Sequence, residues 1–381
     1  IIIVKVLLVH NHYSSVGGES RVFDLEREAL EKALGPKQVF TLEAGSPRYP
    51  ISLVFSIFFS FRKYWKVFRM VKDNKIDIVH VHNFFPIFSA SIFFAAKHAG
   101  AKTVHCLHNY RWWCINGNFF RNGKICTICA DKQSMLSGIR YGCYRESAMQ
   151  SFLAITAFSF SKAMGVFARI DAFVAMTHFQ QLKLIALGLD PQKIYIKPNM
   201  VPVVQPSLAA GKGYLYVGRL EVEKGIVLLL ETWARFSPAF ELTIIGGGSM
   251  EEELRQKYTQ PNIHFMGICS PEETMNYISK SRYTIQPSLM FETFGLTIVE
   301  SMCKGVPVIA LNIGTRTELV QDRITGFLCT PENLFDTINA ADEFDDYETM
   351  SKAAFQFASA YDTSRIIEQQ LSLYQKLLRQ P

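Results

Sequence analysis

Short apolar runs alternate with longer stretches of helical periodicity along the whole chain. Residues 1–10, 38–42, 76–82, 101–107 and 172–176 in the first half, and 214–217, 242–245, 263–266, 283–288 and 306–310 in the second, are dominated by Val, Ile, Leu, Ala and aromatic residues. Runs with so little polar alternation predict strands buried on both faces, as in parallel sheets. Helical patterns at 19–34, 89–99, 151–167 and 226–236, and after residue 295, lie between them. The strand–helix rhythm predicts an α/β fold. A Pro-, Gly- and Ala-rich stretch at 202–213 interrupts it, and it restarts at 214. The expected domains are therefore 1–201 and 214–362, with an amphipathic helix in 363–381.

Open α/β sheets bind ligands at the carboxyl ends of their strands, so the chemistry is sought there. The run at 283–288 is followed by Phe291-Glu292-Thr293-Phe294-Gly295-Leu296-Thr297-Ile298-Val299-Glu300. A helix opening near Gly295 would aim free N–H groups at an anion such as a diphosphate. Glu292 and Glu300 are eight residues apart and would not share a helix face, so they do not read as a paired acid and base. Glu292 is expected in the loop and Glu300 in the helix, each a carboxylate able to accept from sugar hydroxyls. The strand at 214–217 ends in Gly218-Arg219-Leu220-Glu221-Val222-Glu223-Lys224-Gly225, where Arg219 can grip a diphosphate and Lys224 adds a point charge. Gly246-Gly247-Gly248 precedes Glu251-Glu252-Glu253, which would repel a phosphate, so those glycines read as a turn.

In the first half, Gly17-Gly18 separates the first strand from its helix, which fits a phosphate-cradling or acceptor-approach loop or a plain tight turn. His82-Asn83 and His108-Asn109 repeat a strand-end histidine. After the second, Cys114, Cys126, Cys129 and Cys143 follow in a polar, turn-rich insertion with the spacing C-x11-C-x2-C-x13-C. Four thiolates there would suit a structural zinc that staples a loop lacking its own core. Unligated thiols, disulfides or an iron–sulfur cluster are the other readings of the same spacing.

The Glu292–Glu300 element resembles that of the retaining GT-B glycosyltransferases of family GT4, the group 1 enzymes that include many lipopolysaccharide and capsule transferases. The Gly218-Arg219-Leu220…Lys224-Gly225 loop and the Gly17-Gly18 entry are similar to that family too. The resemblance covers nearly the whole chain. It implies two Rossmann-like domains facing a cleft, with the C-terminal helix crossing back to the first. It implies transfer of a sugar, with retention, from a nucleotide-diphosphate sugar held in the second domain to a hydroxyl of a saccharide or lipid-linked saccharide held in the first. Residue by residue it implies that Glu292 and His108 meet the donor sugar, Glu300 the ribose, the amides of Phe294, Gly295 and Leu296 the sugar and diphosphate, and Arg219 and Lys224 the diphosphate. Gly17 and Gly18 join the donor site. No Asp-x-Asp pair stands at a strand end, so no catalytic metal is expected. A nucleotide-sugar epimerase of the same architecture, or a binding partner without catalysis, would share these features.

Composition narrows the partners. The 381 residues carry a net charge of +6, which suits anionic ligands or an anionic membrane face and is too weak to argue for nucleic acid. No run reaches about 18 apolar residues, so no spanning helix is expected, and residues 1–9 read as a strand rather than a signal peptide. Eight cysteines without secretory features point to a reducing compartment. Residues 51–70 join an apolar run to Arg62, Lys63, Lys66 and Arg69 interleaved with Tyr64, Trp65 and Phe68. Such a segment either lies in a membrane interface or packs as a core-facing helix with solvated basic residues. With 30 Phe in the chain and a Phe-rich stretch at 152–167, the expectation is a cytoplasmic protein, peripheral on the membrane's cytoplasmic face.

Overall fold

The computed structural model describes residues 4–12, 18–45, 56–206, 210–236 and 240–380. It divides into two compact units. The first comprises Ile1–Asn118, Thr127–Met200 and Thr363–Pro381, and the second Phe119–Cys126 and Val201–Asp362.

The first unit holds β1 (Val6–Asn11), β2 (Val39–Ala44), β3 (Ile78–Asn83) and β4 (Lys102–Cys106). A two-stranded antiparallel hairpin, β5 (Phe120–Arg121) and β6 (Lys124–Ile125), follows in the chain and groups with the second unit. Then β7 (Ala172–Ala175) and β8 (Ile194–Ile196) complete the first sheet in the order β2-β1-β3-β4-β7-β8. All its pairings are parallel. Every residue of β1 and β3 is buried, as expected of strands covered by helices on both faces. Because the strand period is two, His80 and His82 share one face of β3 and Val79 and Val81 the other.

The second unit holds β9 (Tyr214–Val217), β10 (Leu242–Ile245), β11 (Ile263–Gly267), β12 (Tyr283–Gln286), β13 (Val308–Leu311) and β14 (Gly326–Cys329). They form a second parallel sheet in the order β11-β10-β9-β12-β13-β14. Its core packs Trp233, Tyr214, Tyr283, Leu229 and Ile244 with Phe327 and Met350.

Helix boundaries follow local chemistry. Ser270 and Glu273 form a reciprocal capping box that starts the helix Pro271–Lys280. Thr177 caps His178–Ala186, and Ser147 caps Ala148–Ala163. The helix Thr363–Arg379 buries Ile366, Ile367, Gln370, Leu373, Tyr374 and Leu377, a stripe at three- and four-residue spacing, within the first unit.

Two sequence expectations change here. The cysteine insertion is not wholly polar, since Ile115 and Met135, both in the first unit, are buried. Trp112 packs against Phe158 and Phe167. The Phe-rich stretch is likewise divided: Phe158 is buried, whereas Phe152 and Phe160 of the same helix are exposed. Among the described residues no helix is long and apolar enough to cross a membrane.

Candidate functional site

In the second sheet the strand order reverses between β9 and β12, and their carboxyl ends meet there. The turn after β9 and the loop after β12 are stitched together across this point. Leu289 N–H donates to the Glu223 carbonyl at 2.9 Å, and Ser288 Oγ lies 3.2 Å from the same oxygen. Gly225 makes the approach possible. Its φ is +72°, and a Cβ there would lie 1.8 Å from the Pro287 carbonyl oxygen. The turn thereby delivers Lys224 Nζ to Glu292 Oε1 at 2.8 Å, the oxygen that also accepts from Ser288 Oγ at 2.8 Å.

Arg316, fully buried, locks the loop beside it. Its Nε donates to the Leu311 carbonyl at 2.9 Å and its Nη2 to the carbonyls of Ser288 at 2.6 Å and Met290 at 3.3 Å. Burial lowers the Arg316 pKa to about 10 while Glu292 pulls it back up, so the guanidinium stays charged at neutral pH. Burial alone would raise the Glu292 pKa. Lys224 and Arg316, with the hydrogen bonds from Lys224 and Ser288, outweigh it and hold the carboxyl below its ordinary value. Two cations thus act on one ionised carboxylate at the strand ends.

The other predicted residues of this half lie along the same two segments. Arg219 is 45% exposed and pairs with Glu223 at 3.2 Å, while its carbonyl accepts from Tyr216 Oη at 2.7 Å. Phe294 is buried against Tyr361, with ring centroids 5.6 Å apart. Gly295 has φ +110° and precedes the helix Leu296–Met302. A Cβ at Gly295 would meet Leu319 Cδ1 at 3.0 Å. Glu300 is buried within that helix. The helix spans seven residues, so the side-chain cations contribute more to anion attraction than its dipole does. The Gly246–Gly248 stretch is a turn packed on the Arg219 turn, with Leu220 N–H donating to the Gly247 carbonyl at 3.0 Å.

In the first sheet the reversal falls between β1 and β3. Two asparagines join the strand ends there. Asn83 Nδ2 donates to the Asn11 carbonyl at 2.9 Å, and Asn11 Nδ2 to the Phe85 carbonyl at 3.0 Å. His108, half-buried just past β4, has Nε2 3.0 Å from His82 Nδ1, with the rings stacked at 16°. Gln180 fixes the chain just before it, donating to the Leu107 carbonyl at 2.6 Å and accepting from Met176 N–H at 2.8 Å. Trp112 Nε1 donates to His105 Nε2 at 3.1 Å, which requires His105 to carry its proton on Nδ1 and donate to the Val81 carbonyl.

Below these rings Glu26 is completely buried. It bonds Lys197 Nζ at 2.5 Å and Gln370 Nε2 at 2.6 Å, and its Oε1 lies 3.1 Å from His80 Nδ1 and 3.3 Å from His82 Nε2. Burial raises the Glu26 pKa, but Lys197 and the two histidines more than offset it and keep the group ionised. Burial pushes His10 down to about 3 and His80 and His105 to about 4, and it holds His108 well below the usual imidazole value, so these histidines are neutral at pH 7.

Gly18 is the first residue of the helix Gly18–Leu34, and Gly17 lies outside the described residues. None of the eight cysteines is in a disulfide. Cys114, Cys129 and Cys143 belong to the first unit, and Cys126 directly follows the β5–β6 hairpin counted with the second. The sequence pattern singled out the strand-end His82 but missed Arg316, Ser288, Glu26, Lys197 and Gln370 as members of these clusters. The i, i+2 histidines of β3 were the one visible signal. The partners of Glu26 come from 171 and 344 residues away and left none.

The family models match both halves. Residues 17–205 match glycosyltransferase family 4, and residues 209–356 match glycosyl transferases group 1. The chain is 28% identical over 175 residues to O-antigen chain mannosyltransferase C of Escherichia coli, a match covering 43% of this chain and 47% of that protein. The chain therefore spans about half the length of that relative. Two solved structures share the fold. HepE from Anabaena, in complex with UDP, has a TM-score of 0.68 at 17% identity and covers 98% of this chain and 100% of its own. Sucrose-phosphate synthase from Thermosynechococcus elongatus has a TM-score of 0.71 at 18% identity and covers 98% and 99%. The chain has the two-domain GT-B fold of parallel sheets. It belongs to the group 1 glycosyltransferases.

Proposed function

We propose that this protein transfers a sugar from a nucleotide-diphosphate sugar to a hydroxyl of a saccharide or lipid-linked saccharide, with retention at the anomeric carbon, in the manner of family GT4. The observation that carries this is the Lys224–Glu292–Ser288 cluster, braced by Arg316, at the reversal point of the second sheet. Departure of a nucleoside diphosphate develops negative charge on its phosphate oxygens, and fixed cations stabilise that charge as it forms. Arg219, exposed in its turn, and Lys224 supply it. Lys224 can leave Glu292 for a phosphate because Arg316 still neutralises the carboxylate.

Glu292 would then accept from donor-sugar hydroxyls, Glu300 from the ribose, and the amides of Phe294, Gly295 and Leu296 would meet sugar and diphosphate. A neutral His108 would donate to, or accept from, a sugar hydroxyl without adding charge. No catalytic metal is needed, since the cations perform the neutralisation. The HepE complexes with UDP, and the O-antigen mannosyltransferase among the relatives, support a nucleotide-sugar donor and a cell-surface polysaccharide context. An epimerase would need further acid–base groups around the donor, and none is singled out beside Glu292.

The same proposal includes a structural zinc on Cys114, Cys126, Cys129 and Cys143, for which a four-thiolate donor set is suited. Elemental analysis of protein purified without chelator should find it, and finding neither zinc nor iron overturns that part. The transfer reading is tested with a panel of nucleotide sugars and lipid-linked acceptors. Nucleotide released only when acceptor is present supports it. Isomerised donor, or binding without turnover, overturns it. For Glu300, Glu300→Gln should weaken ribose nucleotides but leave 2′,3′-dideoxy ligands unchanged, and equal losses reject the ribose contact.

A further inference from the structure

A second cluster of ligating atoms lies around the end of β4. Ring nitrogens of His82 and His108 and the Cys106 sulfur all fall within 4.8 Å of one another. The two facing nitrogens, His82 Nδ1 and His108 Nε2, are 3.0 Å apart. Two ligands at about 2.0–2.1 Å on a tetrahedral ion sit slightly farther apart than this, so a small outward shift of the half-buried His108 ring suffices. The three residues also line a small cavity of about 20 Å³ with Asn83, Arg111 and Trp112, room for one water or one ion. On the far side of His82, Glu26 Oε1 lies 3.3 Å from Nε2.

We propose that His82, Cys106 and His108 bind a borderline-soft divalent transition metal, zinc(II) or cobalt(II), and that the bound ion takes His108 out of use. Two imidazoles and one thiolate match the preferences of such ions and leave a fourth position toward the cavity. On binding, the Cys106 thiol gives its proton to solvent, the proton held between His82 Nδ1 and His108 Nε2 moves to the other nitrogen of its own ring, and the ion bonds the sulfur and the two freed nitrogens. The neighbouring group Glu26–His80–His82 also gathers ligand atoms within 4.8 Å, but Lys197 and Gln370 already occupy both Glu26 oxygens and all three residues are buried. His108 is reachable from solvent and gives the Cys106 site an entry. The binding half stands on the first unit's geometry alone. The inhibitory half rests on the assignment of His108 to the donor sugar.

The test is a cobalt(II) titration of the full chain, with cysteine thiolate-to-cobalt charge transfer and bound equivalents as readouts. Wild type is compared with Cys106→Ser, Cys106→Ala and His82→Gln, each checked for folding by thermal unfolding. The insertion cysteines are present in every form, so differences between forms report this site. Each variant should bind one equivalent fewer than wild type, and equal binding in all forms overturns the proposal. Added zinc(II) should inhibit donor turnover at least tenfold more strongly in wild type than in Cys106→Ser, whose metal-free turnover should match wild type, and EDTA should restore activity. Loss of the equivalent without any difference in zinc sensitivity keeps the site and overturns the inhibition. If metal-free protein turns over no donor, the transferase reading fails while the cobalt count still decides the site.

Discussion

The two sheets are built alike and turn at different places. Each has six parallel strands, but the first reverses between β1 and β3 and the second between β9 and β12. At the first reversal the strand ends carry asparagines and histidines, and Glu26 and Lys197, both buried, are paired beneath them. At the second, Lys224 and Arg316 flank Glu292 at the strand ends themselves, and Arg219 pairs with Glu223 in the adjoining turn. One architecture thus sets hydrogen-bonding asparagines and histidines at the strand ends of one unit and charge-paired lysine, arginine and glutamate at those of the other. That is the division expected where one partner is a polyhydroxylated, uncharged group and the other a diphosphate.

The largest effect that sharpens this contrast is on stability. Glu26 is fully buried with its counter-ion, so Glu26→Ala leaves Lys197 charged and unpaired, at a cost of about 3–5 kcal/mol. Lys224→Ala should cost less, about 1–3 kcal/mol, because Ser288 and Arg316 still serve Glu292. Glu26→Gln combined with Lys197→Met should recover much of the first loss. Urea unfolding of the four proteins provides the measurement. Should Lys224→Ala prove the more damaging, the picture of a structural ion pair in one unit and an exchangeable one in the other is wrong.

Next in size is the effect on ligand binding. Arg219→Ala and Lys224→Ala should each weaken UDP by about tenfold or more, the worth of one charge-assisted hydrogen bond, and change uridine little. His108→Ala should leave UDP affinity nearly unchanged, because a neutral imidazole assigned to the sugar adds no charge for the phosphates to meet. Calorimetric titration separates the cases. Equal losses for UDP and uridine would remove the diphosphate from Arg219 and Lys224.

The pH response should divide the units as well. His10, His80 and His105 have folded pKa values of about 3, 4 and 4, below the ordinary 6.5. Between those limits the unfolded chain binds more protons, so the first unit loses stability as pH falls from about 6.5 toward 4. Glu292 is depressed instead. Its contribution is present above the ordinary carboxyl value of 4.5 and is lost only as pH falls below it. Hydrogen exchange followed from pH 7 to 4 should show the β1–β3 core opening first and the β9–β12 core holding. Simultaneous opening would mean that the histidines do not control the first unit.

How much of this the sequence disclosed also differs between the units. The strands at 214–217 and 242–245 and the helix at 226–236 have the bounds read from the pattern, because each apolar run there is closed by Gly, Pro or a charged turn. The second site was legible because its parts lie in two short loops, with Glu292 in the loop and Glu300 in the helix as the spacing required. Arg316 was not, since nothing in Gly314-Thr315-Arg316 says that the side chain turns inward to three carbonyls. The first site was mostly hidden, because Glu26, Lys197 and Gln370 look like ordinary surface residues of helices and loops until the fold brings them together. The Phe-rich stretch is helical as its pattern suggested, and which of its phenylalanines face the core follows from the helical period rather than from their number.

The smallest effect expected, and the one most dependent on conditions, concerns the first unit's surface. The helix Phe61–Asn74 carries Arg62, Lys63, Lys66 and Arg69, and exposes Phe61 at 71% and Trp65 at 52%. On the helix Ala148–Ala163, Met149, Phe152 and Phe160 are exposed too, and Phe160 meets Phe58, three residues before the first helix begins. The apolar residues at 51–55 lie outside the described residues. An aromatic and basic surface of this kind gains from apolar burial in the lipid interface and about 1 kcal/mol for each cation near anionic headgroups. We therefore propose that the protein binds the surface of anionic membranes, where a lipid-linked acceptor would be presented. Part of the cationic face is already committed: Lys63 sits 4.8 Å above the Phe88 ring, and burial followed by Lys66 and Arg62 lowers its pKa, so Arg62, Lys66 and Arg69 should contribute most. In flotation assays the protein should rise with anionic vesicles at low salt, stay down with neutral ones, and release as salt screens the cations. Replacing Arg62, Lys66 and Arg69 with Gln should reduce flotation strongly, with Lys63→Gln adding little. If the wild type stays at the bottom of the gradient with anionic vesicles at low salt, the exposed aromatics have another role and the membrane reading is wrong.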